Sequence, residues 1–192
     1  MSGPPPPISA GRREAILAAA LELFRQRGFH AVGIDEIGTS AGISGPGVYR
    51  HFPSKSSLLV ALFDSLSERM LVAAEEIEKA DHPPDEALQR LVDFHVGTAV
   101  ADRALLAVWL RDAQSLPRAD EQRIRARQGE YVAVWVATLA LLRPDLGPAE
   151  AQTTVHAALG AVNSIALHDP ALPPEALEEL LGGAARAVLA GT

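Results

Sequence analysis

The stretch AGISGPGVYRHFPSK, Ala41 to Lys55, sets two glycines around a proline and then brings a tyrosine, an arginine, a histidine and a lysine into the next eight residues. Two structures produce such a pattern. One is a glycine-rich loop that cradles a phosphate in an active site. The other is a short helix whose opening turn carries contacts to something anionic. The choice between them decides the fold.

The phosphate-loop readings fail on required atoms. A Walker loop needs Lys and Ser/Thr after its last glycine, and Val48 and Tyr49 follow Gly47. A dinucleotide fingerprint needs a third glycine where Arg50 stands, and a strand before it that the sequence does not supply. A nucleophile elbow has its final glycine replaced by Pro46.

The helical reading meets no such obstacle. Ser44 is an N-cap candidate and Pro46 sits in the first turn, where a missing N–H costs nothing. The helix runs to His51, and Pro53 closes it. Upstream, Gly33 caps another short helix with Asp35 and Glu36 in its first turn, where the helix dipole favours acids, and Gly42 ends it. Two short helices joined by a tight turn form a helix-turn-helix, whose second helix enters the DNA major groove by its N-terminal end. In that geometry Gly45, Pro46 and Gly47 give a narrow tip that approaches base edges. Tyr49, Arg50, His51 and Lys55 flank it within reach of phosphates, and the helix opening at Ser54 aims its N–H groups at another.

The rest of the chain is helical in pattern. Ile16, Ala20, Leu23 and Phe24 mark one face of a helix from Arg12 to Arg27, stopped by Gly28. A long apolar stripe from Leu59 to Ile77 follows Ser54, and ADHPPDE breaks it. Further patterns cover Asp85–Val100, Asp102–Ser115, Arg118–Leu142, Pro148–His168 and Pro174–Ala190. No segment sustains period-two alternation, so the expected fold is all-α with about nine helices.

Bulk composition narrows the function. The 192 residues contain no cysteine, which excludes disulfides, thiolate zinc sites and thiol nucleophiles. No two histidines lie three or four apart and no HExxH occurs, so no metal site and no catalytic constellation is expected. MSGPPPPIS reads as a polyproline tail rather than a secretory signal. Val132–Leu142 is too short to span a bilayer, so no membrane contact and a cytoplasmic location are expected. The net charge of −7 is uneven: Ile8–Leu58 carries six basic and four acidic residues, and the remainder carries eleven and twenty. That asymmetry points to two parts with different partners.

Three motifs carry a resemblance to the DNA-binding domain of the tetracycline-repressor (TetR) family. They are Phe24-x-x-x-Gly28-Phe29, then Ile37-x-x-x-Ala41-Gly42-Ile43-Ser44, then Tyr49-x-His51-Phe52-x-Ser54-Lys55-x-x-Leu58. The chain departs from the family where threonine is common, at Gly33 and Gly47. The resemblance implies a disordered tail over 1–9, a helix-turn-helix domain over 10–56 and a ligand-binding and dimerisation domain over 57–192. It also implies a homodimer on a palindromic double-stranded operator, a small-molecule effector, no cofactor, and regulation, by repression, of transcription.

The resemblance places dimerisation on the last two helices. Their stripes are Ala151, Val155, Ala158, Leu159, Val162 and Ile165, and then Leu177, Leu180, Leu181, Ala184 and Val188, with small Ala157, Gly160 and Ala161 beside the first. The alternative is that both stripes face the monomer's own core. Polar or aromatic residues inside apolar helices are candidates for a pocket around a largely apolar ligand: His95, Trp109, Arg111, Tyr131, Trp135, His156 and Asn163. VWLRDAQSLP and RIRARQGEYVAVWV resemble an actinobacterial TetR subgroup, some members of which respond to acyl-CoA thioesters; Arg123, Arg125 and Arg127 then either meet ligand phosphates or form a solvated face. A helical small-molecule-binding protein without DNA affinity and an enzyme using the pocket are the competing readings.

Overall fold

The computed structural model describes residues 8–191; the MSGPPPP stretch and Thr192 lie outside the described residues. The described chain is entirely helical: α1 (Ile8–Arg27), α2 (Ile34–Ser40), α3 (Gly45–Tyr49), α4 (Lys55–Lys79), α5 (Pro84–Ala101), α6 (Arg103–Asp112), α7 (Arg118–Leu142), α8 (Pro148–Asn163) and α9 (Pro174–Ala190). Short 3₁₀ turns extend α6 through Ser115 and α8 through Leu167. The helix α1 begins at Ile8, inside the segment expected to be tail. Among the described residues no helix is long and apolar enough to cross a membrane.

The stop and start signals work as local chemistry. Gly28 and Gly191 take positive φ values of 83° and 78° at the ends of α1 and α9. Ser54 Oγ accepts from the Ser57 N–H at 3.1 Å, and Ser57 Oγ accepts in turn from the Ser54 N–H at 3.2 Å.

Two apolar cores meet on α4. The first gathers Ile16, Ala20 and Phe24 of α1, Ile37 of α2, Val48 of α3 and Leu58, Leu59 and Phe63 of α4. It also takes in Leu105 and Val108 of α6 and Ile124 of α7. The second joins α5, α7, α8 and α9 through Leu91, Val96, Trp135, Leu139, Val155, Val162, Leu181 and Leu189. Met70 packs against both. Helices α1 to α3 therefore share apolar packing with α6 rather than hanging on a linker.

Most residues of the terminal stripes face inward. Ala151, Val155, Ala158, Leu159, Val162, Ile165, Leu177 and Leu181 are buried within the single chain, and Val188 packs against that core. The small or apolar residues that α8 and α9 leave exposed include Ala157 and Gly160, then Leu180, Gly183, Ala184 and Ala187, beside the polar Gln152, Thr153, His156, Glu178, Glu179 and Arg186. Leu180, at 60% exposure, is the one large apolar side chain on that face of α9.

Candidate nucleic-acid interface and ligand cavity

The α2–turn–α3 unit is built from backbone contacts. Glu36 accepts the Gly33 N–H at 2.8 Å and pairs with Arg27 at 2.6 Å, and both contacts hold its carboxyl below the usual range, the Gly33 hydrogen bond most. After Ser40 the chain reverses: Gly42 adopts φ +69°, and the Ile43 N–H donates to the Gly38 carbonyl at 2.9 Å. A Cβ on Gly38 would lie 3.0 Å from the Ile43 oxygen and from the Ser44 carbonyl carbon. Those are backbone atoms, so the close approach of α2 to the turn requires glycine there. Ser44 caps α3, its Oγ accepting from the Gly47 N–H at 3.3 Å.

The tip residues then divide. Pro46, Tyr49 and Arg50 are exposed, as is Ser44, whose hydroxyl serves the cap. Gly45 and Gly47 are buried: a Cβ on Gly45 would meet the Asp35 carboxylate, and one on Gly47 would touch Ser44 and Ile43. Their small size serves the packing of α3 inside the unit. His51 is half-buried, and its carbonyl accepts from Arg13 at 3.1 Å. The Arg13 guanidinium also lies 4.1 Å from the Phe52 ring centroid.

Lys55 departs most from expectation. Its ammonium donates to the Phe29 carbonyl at 2.8 Å, to Val32 at 2.9 Å and to His30 at 3.5 Å, and it sits 4.5 Å from the Phe29 ring centroid. All its donors face the chain's own α1–α2 connection. Among the described residues of the first four helices, Arg12 and Arg50 are the exposed cations without an ion pair or hydrogen-bond acceptor.

Behind this unit a cavity of about 330 Å³ opens between α4, α5, α6, α7 and α8. Its apolar wall includes Phe63, Leu66, Met70, Leu106, Trp109 and Leu159, and its polar members are Ser67, His95, Gln128, Tyr131, His156 and Asn163. Of the seven residues expected to touch a ligand, His95, Trp109, Tyr131, His156 and Asn163 line it. Trp135 does not. It is 1% exposed, with its ring edge-on to His95 at 5.8 Å and to Tyr131 at 6.1 Å, and its Nε1 has no acceptor among the described residues.

Arg111 does not line the cavity either. It donates to the Phe24 carbonyl and, at 3.2 Å, to the Arg25 carbonyl, capping the end of α1. The neighbouring Asp112, 5% exposed, accepts from Arg111 at 3.0 Å and from the Phe29 N–H at 3.3 Å. The sequence reading missed Asp112; its only local signal was adjacency to Arg111 within VWLRDAQSLP. One helix, α6, thus turns Leu106, Trp109 and Leu110 to the cavity and fastens its far end to α1. The edge-on stack of Trp109 and Phe63, 4.8 Å between centroids, links it also to α4.

Within the cavity His95 is clamped from both sides. Its Nδ1 lies 3.1 Å from the Tyr131 hydroxyl and its Nε2 3.1 Å from Asn163 Oδ1. With an amide oxygen as acceptor, Nε2 carries the proton and Nδ1 accepts from Tyr131. Burial pushes the imidazole down to about 4, so it is neutral at pH 7. Arg123 and Arg127 both pair with Asp64, and Arg125 pairs with Glu121. Their guanidinium groups already have carboxylate partners.

Comparison with known proteins agrees with this architecture. The family described as bacterial regulatory proteins, tetR family, matches residues 16–62, and the tetracyclin repressor-like C-terminal domain matches residues 81–167. The HTH-type transcriptional activator FasR of Mycolicibacterium smegmatis is 51% identical over 51 residues, which are 27% of this chain and 23% of FasR, so the match spans under a quarter of that relative. A TetR-family transcriptional regulator from Bordetella parapertussis superposes with a TM-score of 0.82 at 21% identity, covering 92% of this chain and 93% of that one. AibR, solved in complex with isovaleryl coenzyme A and operator DNA, superposes with a TM-score of 0.74 at 21% identity over 90% of this chain and 96% of that one. At such identities the structural likeness is one of fold. With both family domains matched in order on an all-helical chain that carries the helix-turn-helix, the chain belongs to the TetR family.

Proposed function

We propose that the chain is a ligand-responsive, DNA-binding transcriptional regulator that acts as a homodimer in the cytoplasm, without catalysis. Residues 10–56 contact the operator, and 57–192 bind effector and partner. The observation that carries this reading is the α6 connection: the helix that walls the cavity also grips the end of α1, in the unit that exposes Pro46, Tyr49 and Arg50. The exposed small residues of α8 and α9 offer a surface on which a second copy packs closely. A two-fold dimer presents two α3 helices to a palindrome, one in each half-site. An effector that favours a different placement of α6 would change the spacing of those helices and release the operator.

FasR is named an activator, and repression is proposed here because release on ligand binding needs no contact with polymerase. An acyl-CoA is the finer form of the effector proposal, supported by the AibR complex. Since Arg123 and Arg127 are paired with Asp64, phosphates of such a ligand would have to compete with that carboxylate.

Footprinting of the purified protein on DNA upstream of its own gene tests the regulator reading. A protected palindrome is expected, and protection without sequence preference sinks it. Two variants separate contact from scaffold. Arg50→Ala is expected to weaken operator binding and reduce the slope of log K against log salt by about one unit, as one phosphate contact is lost. Lys55→Met is expected to leave that slope unchanged while lowering stability by about 2 kcal/mol, because three carbonyls lose a charged donor. A flattened slope for Lys55→Met would return that ammonium to the DNA.

A further inference from the structure

The cavity carries no side-chain charge. None of its lining residues is Lys, Arg, Asp or Glu. The nearest cations are already matched: Arg127, 3.4 Å from the Ser67 hydroxyl, pairs with Asp64, and Arg69 pairs with Asp102 at the α5–α6 end, where a small annex adjoins the cavity. Neither nitrogen of His95 is available, since Tyr131 and Asn163 hold both. His156 is exposed to water.

What the wall does offer is donors. The Asn163 amide oxygen accepts from His95, leaving its NH₂ group on the cavity wall without an acceptor among the described residues. The half-buried Gln128 amide is likewise unengaged among the described residues. A buried carboxylate here would lose its hydration with no cation in compensation, which costs several kcal/mol. An uncharged carbonyl would lose far less and would satisfy the Asn163 donor.

We infer that the effector's buried part is uncharged, an aliphatic chain ending in an ester- or thioester-type carbonyl that accepts from Asn163, and that the matching free carboxylate is rejected. The inference rests on the ligand-responsive reading above. It goes further by naming which head group the cavity selects and which it refuses.

Intrinsic fluorescence reports binding, because Trp109 lines the cavity. The full chain is titrated at about pH 8, where a carboxylic acid is ionised, with three probes sharing a ten-carbon acyl chain: methyl decanoate, decanoyl-CoA and decanoate. The ester is expected to bind at least about tenfold tighter than decanoate. The thioester binding as well supports the same inference, and the thioester binding alone supports it with a carrier-bound source. Gln128→Lys, at a half-buried position of the wall, supplies the missing cation and is expected to tighten decanoate at least about tenfold relative to the ester. Decanoate binding as tightly as the ester to the unaltered chain overturns the inference, as does failure of all three probes. The footprint on the same preparation keeps the two readings apart. Decanoate preference with an intact footprint overturns the head-group assignment alone, and a lost footprint with ester preference overturns the regulator reading alone.

Discussion

Acidification from about pH 6.5 to about pH 4 is expected to remove about 3 kcal/mol of folding stability through His95 alone. Burial lowers this imidazole from its ordinary 6.5 to about 4. In the unfolded chain it takes a proton near 6.5, whereas the folded chain resists protonation until near 4. Between those limits the unfolded state binds more protons, so stability is complete above the upper limit and falls as the pH drops through the window. Most carboxylates titrate near or below the bottom of it, which leaves the upper half to histidine. Urea unfolding at closely spaced pH values measures the slope. His95→Gln, whose amide can still accept from Tyr131 and donate to Asn163, is expected to flatten it. A wild-type protein equally stable at both ends of the window would show that His95 is not held neutral. Because His95 also braces Tyr131 and Asn163 in the cavity wall, effector binding is expected to weaken over the same range.

Asp112→Ala is expected to destabilise the protein by about 2 kcal/mol and to disconnect effector from operator. The carboxylate is buried, and its removal orphans the Phe29 N–H and leaves Arg111 with only the Phe24 and Arg25 carbonyls as acceptors. The side chain of Arg111 is 45% exposed, so water recovers part of that loss and the cost stays below that of breaking a fully buried pair. The functional consequence is larger than the energetic one. With the grip on the end of α1 loosened, movement of α6 no longer repositions α3. The variant should still bind operator below its melting temperature, yet show little change in affinity on adding effector. Asp112→Asn keeps an acceptor for Phe29 and is expected to recover stability more than response. A variant with full stability and full response would remove α6 as the connection.

The elements decided by neighbours along the chain were legible. Ser44 and Ser54 read as caps because a hydroxyl reaches an N–H three residues on, and both do so. Gly28 read as a stop, and the spans Arg118–Leu142 and Pro174–Ala190 emerged at the expected residues, since proline and glycine punctuate helices locally. Five of the seven expected cavity residues line it, because a polar side chain within an apolar helical stripe needs a polar partner inside the protein.

The residues whose partners differ from what the local motif suggests share one cause. Lys55 reads as a phosphate contact from its local motif, but its acceptors lie 23 to 26 residues away, at Val32 and Phe29. Arg111 reads as a ligand contact, but it caps carbonyls 86 and 87 residues away. Gly45 and Gly47 read as clearance for DNA, and on their buried sides stand Asp35 of α2 against Gly45 and Ile43 and Ser44 of the turn against Gly47. The stripes of α8 and α9 read either as a partner surface or as part of the chain's own core, and that core took most of them, leaving Leu180 and Ala184 exposed.

By itself, then, the sequence determined the helical class, the helix-turn-helix and the caps that bound it, because these depend on hydrogen bonds and periodicity within a few residues. Only the tertiary structure decided which cations find partners among the described residues, which small residues face outward, and that the cavity wall is uncharged. Each of those depends on which distant groups are brought within about 3 Å, a distance that composition and spacing along the chain do not encode.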